Sequence, residues 1–304
     1  MNLHALLPPL LALLLAPLLP GLITRTRCRL TGRQGPPLLQ NYADLGKLLA
    51  KGAVYSRTTT AVFRAGPLVG LAAVMTAAAL VPFGAAPAPL AFPGDLVLLC
   101  GLLALMRFAT VLAALDTGSS FEGMGASREV QFAALAEPAL VLALAVVVRS
   151  TGNLSLSGAF AALTPAAWSR EGAALVLVLG TLFVVYLTEN ARVPVDDPAT
   201  HLELTMIHEV MVLDHGGPDI GLIHYAAALK LWVLGALLVG VALPVHDGSP
   251  WLCLAVSLAG MLVLALLAGF VETIMARLKL VRVPQLLVGA TALSVLALVL
   301  VMRG

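Results

Sequence analysis

The sequence predicts an all-α integral membrane protein of about eight transmembrane helices, with both termini outside and a surface helix on the cytoplasmic side. Three observations predict it. Of 304 residues, 60% are hydrophobic and only 11% charged, with a mean hydropathy of +0.99; soluble domains run about 45–50% apolar and about 25% charged. Apolar stretches long enough to cross a bilayer of about 30 Å recur along the whole chain. Lys and Arg are concentrated in alternate loops. A soluble globular domain is excluded, and a net charge of +2 is too small to indicate nucleic acid. The whole chain, 1–304, reads as one multi-pass membrane domain.

The spans are marked approximately at 3–23, 65–83, 95–115, 131–149, 172–189, 220–243, 251–274 and 284–302. The first differs from a signal peptide. It lacks a positive leading region, extends for about 20 residues, and runs into Arg25, Arg27, Arg29 and Arg33, which read as a stop-transfer flank. The loops at 24–64, 116–130, 190–219 and 275–283 together hold thirteen Lys and Arg. The opposite side has only Arg149, Arg170 and Arg303, and the positive-inside bias therefore places the odd-numbered loops in the cytoplasm. In the first of these loops Leu38, Tyr42, Leu45 and Leu49 recur at helical spacing, with Asp44, Lys47 and Lys51 on other faces, which predicts the surface helix. The outer loops, including the Ser/Thr/Gly-rich link at 150–171, read as connectors. No inverted repeat of the secondary-transporter kind is visible.

Cys28, Cys100 and Cys253 stand far apart without a CxxC, so cysteine assembles no zinc, iron-sulfur or nickel site here. No nucleotide loop is present, and the chain is read as non-catalytic, with any electron chemistry on a partner. His201, His208 and His215 recur every seven residues. That spacing is about 10.5 Å of helical rise, too long for two imidazoles to share an ion at about 2 Å. Asp197 followed by Pro198 predicts a helix start, with a helix over 198–213.

Charges inside spans need a reason, because each costs roughly 2.5–3.5 kcal/mol near the bilayer centre. Arg107, Glu137, Lys230, Glu189 and Glu272 are the residues concerned. Helical rise places Glu137 roughly 10 Å, and Arg107 roughly 12 Å, from the inner ends of their spans. Glu189 and Glu272 close spans five and seven at the inner side, and Lys230 lies mid-span. One reading is simple helix pairing with interfacial caps; the other is a polar half-channel open to the cytoplasm, a path for protons or ions.

The polar stretch from Glu189 to Leu204 is where a family becomes recognisable. Glu189, Arg192, Pro194, Asp196, Pro198, Glu203 and Leu204 resemble, at matching spacing, the acidic loop after the fifth helix in the family of respiratory complex I subunit 1, beside the quinone chamber. Two acids of that pattern fall on Ala199 and His201. Arg33, Gly35 and Pro36, with Gln40, Asp44 and Lys47, resemble the same family's first loop and surface helix. Asp116-Thr117-Gly118, Gly125 to Glu129, Glu137-Pro138 and the run from Glu272 through Arg277 to Lys279 resemble the version found in formate hydrogenlyase and related membrane-bound nickel-iron hydrogenases.

The resemblance implies a prokaryotic plasma-membrane subunit that docks a soluble electron-transfer arm and helps couple electron transfer to proton or sodium movement. It implies as partners hydrogenase-like large and small subunits, an iron-sulfur protein and antiporter-like membrane subunits, with iron-sulfur clusters and a nickel-iron centre on those partners and none in this chain. Docking would use Arg33, Gly35, Pro36, Asp44, Lys47, Asp116, Glu122, Arg128, Glu129, Asp214 and Arg277. The ion path would begin at Glu189, Arg192, Asp196 and Glu203 and continue through Glu137, Arg107, Glu272 and Lys230. Two alternatives stay open: the quinone-chamber subunit of an NADH:quinone oxidoreductase, and a stand-alone ion or solute carrier.

Overall fold

The computed structural model describes residues 6–196, 206–244 and 249–303. Every named element in it is a helix: α1 (Leu7–Leu15), α2 (Leu18–Leu30), α3 (Gln40–Leu49), α4 (Ala61–Ala78), α5 (Asp95–Asp116), α6 (Ser120–Thr151), α7 (Leu156–Ala162), α8 (Pro165–Glu189), α9 (Gly217–Ala242), α10 (Pro250–Ile274) and α11 (Val283–Arg303). Seven are long and apolar enough to cross a membrane. The bent pair α1 and α2, which meet at 45°, makes an eighth if counted as one span. This is a multi-span all-helical membrane protein.

Local chemistry explains several boundaries. Thr164 and Ser249 each accept a hydrogen bond from the backbone N–H three residues on, with proline at the next position, so α8 and α10 start on capped, pre-set turns. Thr60 caps α4 in the same way through Val62. Asp116 reinforces that start, its carboxylate accepting from the backbone N–H groups of Thr60 and Phe63 and from the Thr60 hydroxyl. α6 ends at Gly152, whose φ of 70° is the left-handed conformation that closes many helices.

Three expectations change. The first span is broken rather than straight, and α2 runs to Leu30, so Arg25, Arg27 and Arg29 are helical. Pro17 has no N–H for the Leu13 carbonyl and so interrupts the ladder. The 116–130 loop is mostly helix: three residues separate α5 from α6, which begins at Ser120 because the polar stretch after it contains no breaker stronger than glycine. The outer link at 150–171 contains α7 and the first turns of α8, stitched to α5 where the buried Asp95 carboxylate accepts from the Ser155 hydroxyl and the Leu156 N–H, both at 2.8 Å. The expected helix at 198–213 falls largely outside the described residues, and its described end is a 3-10 turn at Glu209–Val212.

The centre of the bundle is α9, with 78% of its span buried among α4, α8 and α10, whereas α10 and α11 lie at the edge with 28% and 22%. Leu229, Leu231, Val233 and Leu237 of α9 form one core with Leu144, Leu175 and Val178. In lipid that core is held by close packing rather than escape from water, so interfaces favour small residues and cross-helix hydrogen bonds. α11 follows this rule: Ser294 donates to the Ala139 carbonyl of α6 at 3.2 Å, and Thr181 of α8 donates to the Ala290 carbonyl at 3.1 Å.

Candidate functional site

The site gathers where α5, α6, α8 and α9 meet. Arg107 of α5 is buried and faces three carboxylates. Its Nη2 donates to both oxygens of Glu189, the last residue of α8, at 2.6 Å; Nη1 donates to Glu137 Oε1; and Nε lies 3.5 Å from Glu129 Oε1. Glu129 and Glu137 are eight residues apart on α6, two turns, and reach the one guanidinium from opposite sides along that helix. Lys230 of α9 extends the cluster, with Nζ 3.8 Å from Glu189 Oε2. Counting depth along the helices places Arg107 beside Glu137, and the structure adds Glu189, Glu129 and Lys230 to the same cluster.

A second group fixes the loop after α8. Arg192 Nη1 donates to Glu272 of α10 at 3.3 Å, and Arg277 Nη2 lies 2.9 Å from Asp196 Oδ1. Asp196 Oδ2 accepts from the backbone N–H groups of Ile207 and His208. Leu278 N–H donates to the Pro194 carbonyl at 2.9 Å, so the segment after α10 is tied to the same loop. Ala191 turns the chain out of α8 at φ 48°, a left-handed conformation unusual for a residue with a side chain. Glu203 and His201 lie outside the described residues.

Between the two groups is a cavity of about 310 Å³. Glu189, Arg192, Asp196, His208, His224 and Lys230 supply its charged and titratable wall, Asp44 of α3 closes one side, and Pro17 and Pro20 of the broken α1–α2 span line another. The His208 imidazole is pushed down to about 3, chiefly by burial and then by the positive charge of Lys230 and by His224. It is therefore neutral at physiological pH. His215 is also lowered by burial, against the opposing pull of Asp219 and Asp214, and its ring stacks on Phe63 at 3.9 Å. Among the described residues no group of three His, Cys, Asp or Glu side chains is placed to hold a metal ion.

Sequence reasoning missed His224 and the fastening of the broken span. Tyr225 donates to the Leu13 carbonyl at 2.7 Å, Tyr42 to the Leu14 carbonyl at 2.6 Å, and Asn41 to the Pro17 carbonyl at 2.9 Å. Pro17 is the available signal, since a proline inside a span leaves carbonyls that need donors.

The residues expected to meet partners fall into two sets. Arg33 and Lys47 are exposed, and Gly35, Pro36, Asp44, Asp116, Arg128, Asp214 and Arg277 are not deeply buried. Gly35 passes so close to α2 that a Cβ would stand 3.1 Å from Cys28 Cβ. Arg128 donates to the Met206 carbonyl at 3.0 Å. Glu122 is buried and accepts from the Asp214 N–H at 2.9 Å, and Glu129 belongs to the Arg107 cluster. At Gly125 an added Cβ would fall 2.3 Å from Val210 and 2.9 Å from the Ile207 carbonyl, so only glycine lets α6 approach the 207–213 segment.

A bundle of seven or eight spans around a buried Arg–carboxylate cluster, with a titratable cavity beside it, defines a multi-span membrane protein. A family model described as NADH dehydrogenase matches residues 3–302, and the chain belongs to that family. It is 32% identical over 304 residues to formate hydrogenlyase subunit 4 of Escherichia coli (strain K12), covering 98% of this chain and 97% of that one. It is 29% identical to hydrogenase-4 component C of the same organism, with 99% and 96% covered. A membrane-complex relative from Verminephrobacter eiseniae, a subunit of its NADH-quinone oxidoreductase, matches at 26%, over 71% of this chain and 63% of its own. A chain of the membrane-bound sulfane sulfur reductase, an archaeal respiratory membrane complex, superposes with a TM-score of 0.82 over 98% of both chains at 22% identity, which shows the shared fold.

Proposed function

We propose that this chain is the membrane-anchor subunit of a complex-I-like, energy-converting hydrogenase of the formate hydrogenlyase type. It docks a soluble electron-transfer arm on its cytoplasmic face and helps couple electron transfer to proton or sodium movement. The observation that bears most weight is the series of charged and titratable groups from the cavity to the membrane interior. Arg192, Asp196 and His208 stand at the cavity wall; Glu189 and Lys230 join that wall to Arg107; Arg107 leads on to Glu137. A redox-driven change of charge at the cavity mouth alters the protonation favoured at each carboxylate behind it. The near end-to-end match to the formate hydrogenlyase and hydrogenase-4 subunits supports the choice of complex.

In this reading the electron carriers, iron-sulfur clusters and a nickel-iron centre, sit on partner subunits. Arg33, Lys47 and Arg128 are permanently or strongly basic contacts for partner carboxylates. Two experiments test the two halves. Reversing Arg33 and Arg128 together to glutamate is expected to release the soluble arm from membranes that still contain this subunit; an arm retained at wild-type level refutes docking here. Glu137→Gln keeps an acceptor for Arg107 but cannot titrate, so the assembled complex is expected to transfer electrons to an artificial acceptor while ion uptake per electron falls. Unchanged uptake refutes the role of Glu137.

The cavity itself favours a second reading, a quinone-chamber subunit of an NADH:quinone oxidoreductase. A photoreactive quinone analogue that labels the cavity wall, with loss of labelling on electron-acceptor competition, selects it. Hydrogen production by the purified complex, without quinone-site labelling, selects the hydrogenase.

A further inference from the structure

One carboxylate of the Arg107 cluster is open to the side of the molecule. The Glu137 side chain is 42% exposed, against 5% for Glu189 and 16% for Glu129. It stands at a groove of about 510 Å³ between α5 and α6, floored by Gly101, Ala104, Ala133 and Ala134 and flanked by Leu105 and Phe108. Arg107 occupies Oε1, and among the described residues Oε2 has no hydrogen-bond partner. Pro138 has no N–H to give the Ala134 carbonyl, so that acceptor, one turn from Glu137, is without its helical donor. Ala134 also borders a neighbouring groove of about 570 Å³ between α6 and α11.

Lipid tails supply neither a proton donor nor a cation, so this face suits them poorly. The charges point the same way: among the described residues Glu129, Glu137 and Glu189 pair with Arg107 and Lys230, which leaves one negative charge unmatched there when all are ionised. By contrast, the outward face of α10, with Val263, Leu266, Leu267 and Phe270 exposed, is uniformly apolar and suits lipid. The small residues along the α5–α6 groove permit close approach of another helix. From Gly101 to Val111 the groove runs about 15 Å, nearly three helical turns.

We propose that the α5–α6 groove seats a transmembrane helix of a neighbouring subunit, and that this helix presents a lysine or arginine to Glu137 Oε2. The inference rests on the reading of the chain as one subunit of a membrane complex. It deepens that reading by naming the face and the chemistry of a membrane partner. The partner's cation brings the cluster to three carboxylates and three cations and joins the Arg107 network to the next subunit.

The test places a photoreactive amino acid at Leu105 or Phe108, with Val263 of α10 as the control position, in the intact complex in native membranes. Cross-linked peptides are then sequenced. Leu105 and Phe108 are expected to capture one membrane-spanning segment of another subunit, with a Lys or Arg within about two helical turns of the captured residue, while Val263 gives lipid adducts. Glu137→Gln keeps an acceptor for the partner's cation and is expected to lower capture at Phe108 only about threefold, the equivalent of an average interhelical polar contact, so the complex still assembles. Glu137→Arg is expected to abolish capture, and reversal of the captured basic residue to glutamate to restore it. Lipid adducts alone at Leu105 and Phe108, capture of a second copy of this chain or of a soluble subunit, or capture of a segment without a basic residue each overturn the proposal. Its fate is separable from docking. Release of the soluble arm by the Arg33 and Arg128 reversals tests docking without touching this groove, and Phe108 capture is scored whether or not the arm is bound.

Discussion

The two buried charge groups differ in balance. Around the loop after α8, among the described residues, Arg192 pairs with Glu272 and Arg277 with Asp196, and Asp196 also accepts from two backbone N–H groups. Around Arg107, three carboxylates share one guanidinium and one ammonium. A matched pair has nothing to gain from a proton, and desolvation and attraction roughly offset each other. An over-subscribed guanidinium leaves one carboxylate short of a counter-ion, so a proton or an added cation lowers the energy of the cluster. The first arrangement holds a loop in place; the second is suited to change its charge.

The largest expected effect comes from removing the shared cation. Arg107→Met leaves Glu189, with only 5% of its side chain exposed, beside Glu129 with Lys230 as the remaining cation. Breaking a buried pair from one side costs about 3–5 kcal/mol, so the assembled complex should fall to low yield in detergent extracts. Arg107→Met combined with Glu189→Gln should recover much of that yield, because the stranded charge is gone. If the single variant assembles normally, the cluster is less buried than its geometry requires and the contrast between the groups collapses.

A smaller loss is expected from the matched side. Arg277→Met removes the pair to Asp196 but leaves the carboxylate its hydrogen bonds from the Ile207 and His208 N–H groups. The cost should be about 1–3 kcal/mol, read as faster proteolysis of the segment between α8 and α9 with the bundle intact. A whole-complex loss as large as that of Arg107→Met would mean the loop is as critical to folding as the cluster.

These contrasts are legible in the sequence only in part. Spans with uniform apolar character, such as 251–274 and 284–302, match the observed α10 and α11 to within one residue at each end, because about twenty apolar residues leave the chain no other solution in lipid. The 116–130 stretch misleads, since its glycines, serine and charges look like a loop unless one knows that Gly125 must let α6 pass against Val210. Arg107 and Glu137 can be matched by depth along their helices. Glu129 cannot, because it stands two turns away on α6 in a stretch whose composition resembles a loop. The α1–α2 break is written in Pro17, yet its donors Tyr42 and Tyr225 are distant in sequence and only the packed bundle brings them to Leu13 and Leu14.

The smallest effect tests how far the two groups share one environment. His208 belongs to both: its backbone N–H supports Asp196 on the matched side, and its ring lines the cavity with Lys230 of the unmatched side. Burial first, and then the positive charge of Lys230, hold its folded value at about 3, below the roughly 6.5 of an unfolded histidine. The unfolded chain therefore binds more protons at acid pH, and stability rises with pH through this window. The contribution is fully present above about pH 6.5 and is lost as pH falls toward the folded value; at pH 5 the loss reaches about 2 kcal/mol. Stability of the purified complex, followed by thermal unfolding between pH 7.5 and 5, should fall more steeply for the wild type than for His208→Gln, which has no imidazole to titrate. Parallel curves would mean that the ring gains its proton inside the folded cavity as easily as in water. In that case neither burial nor Lys230 acts on His208, and the matched and unmatched groups act as separate units rather than as two walls of one cavity.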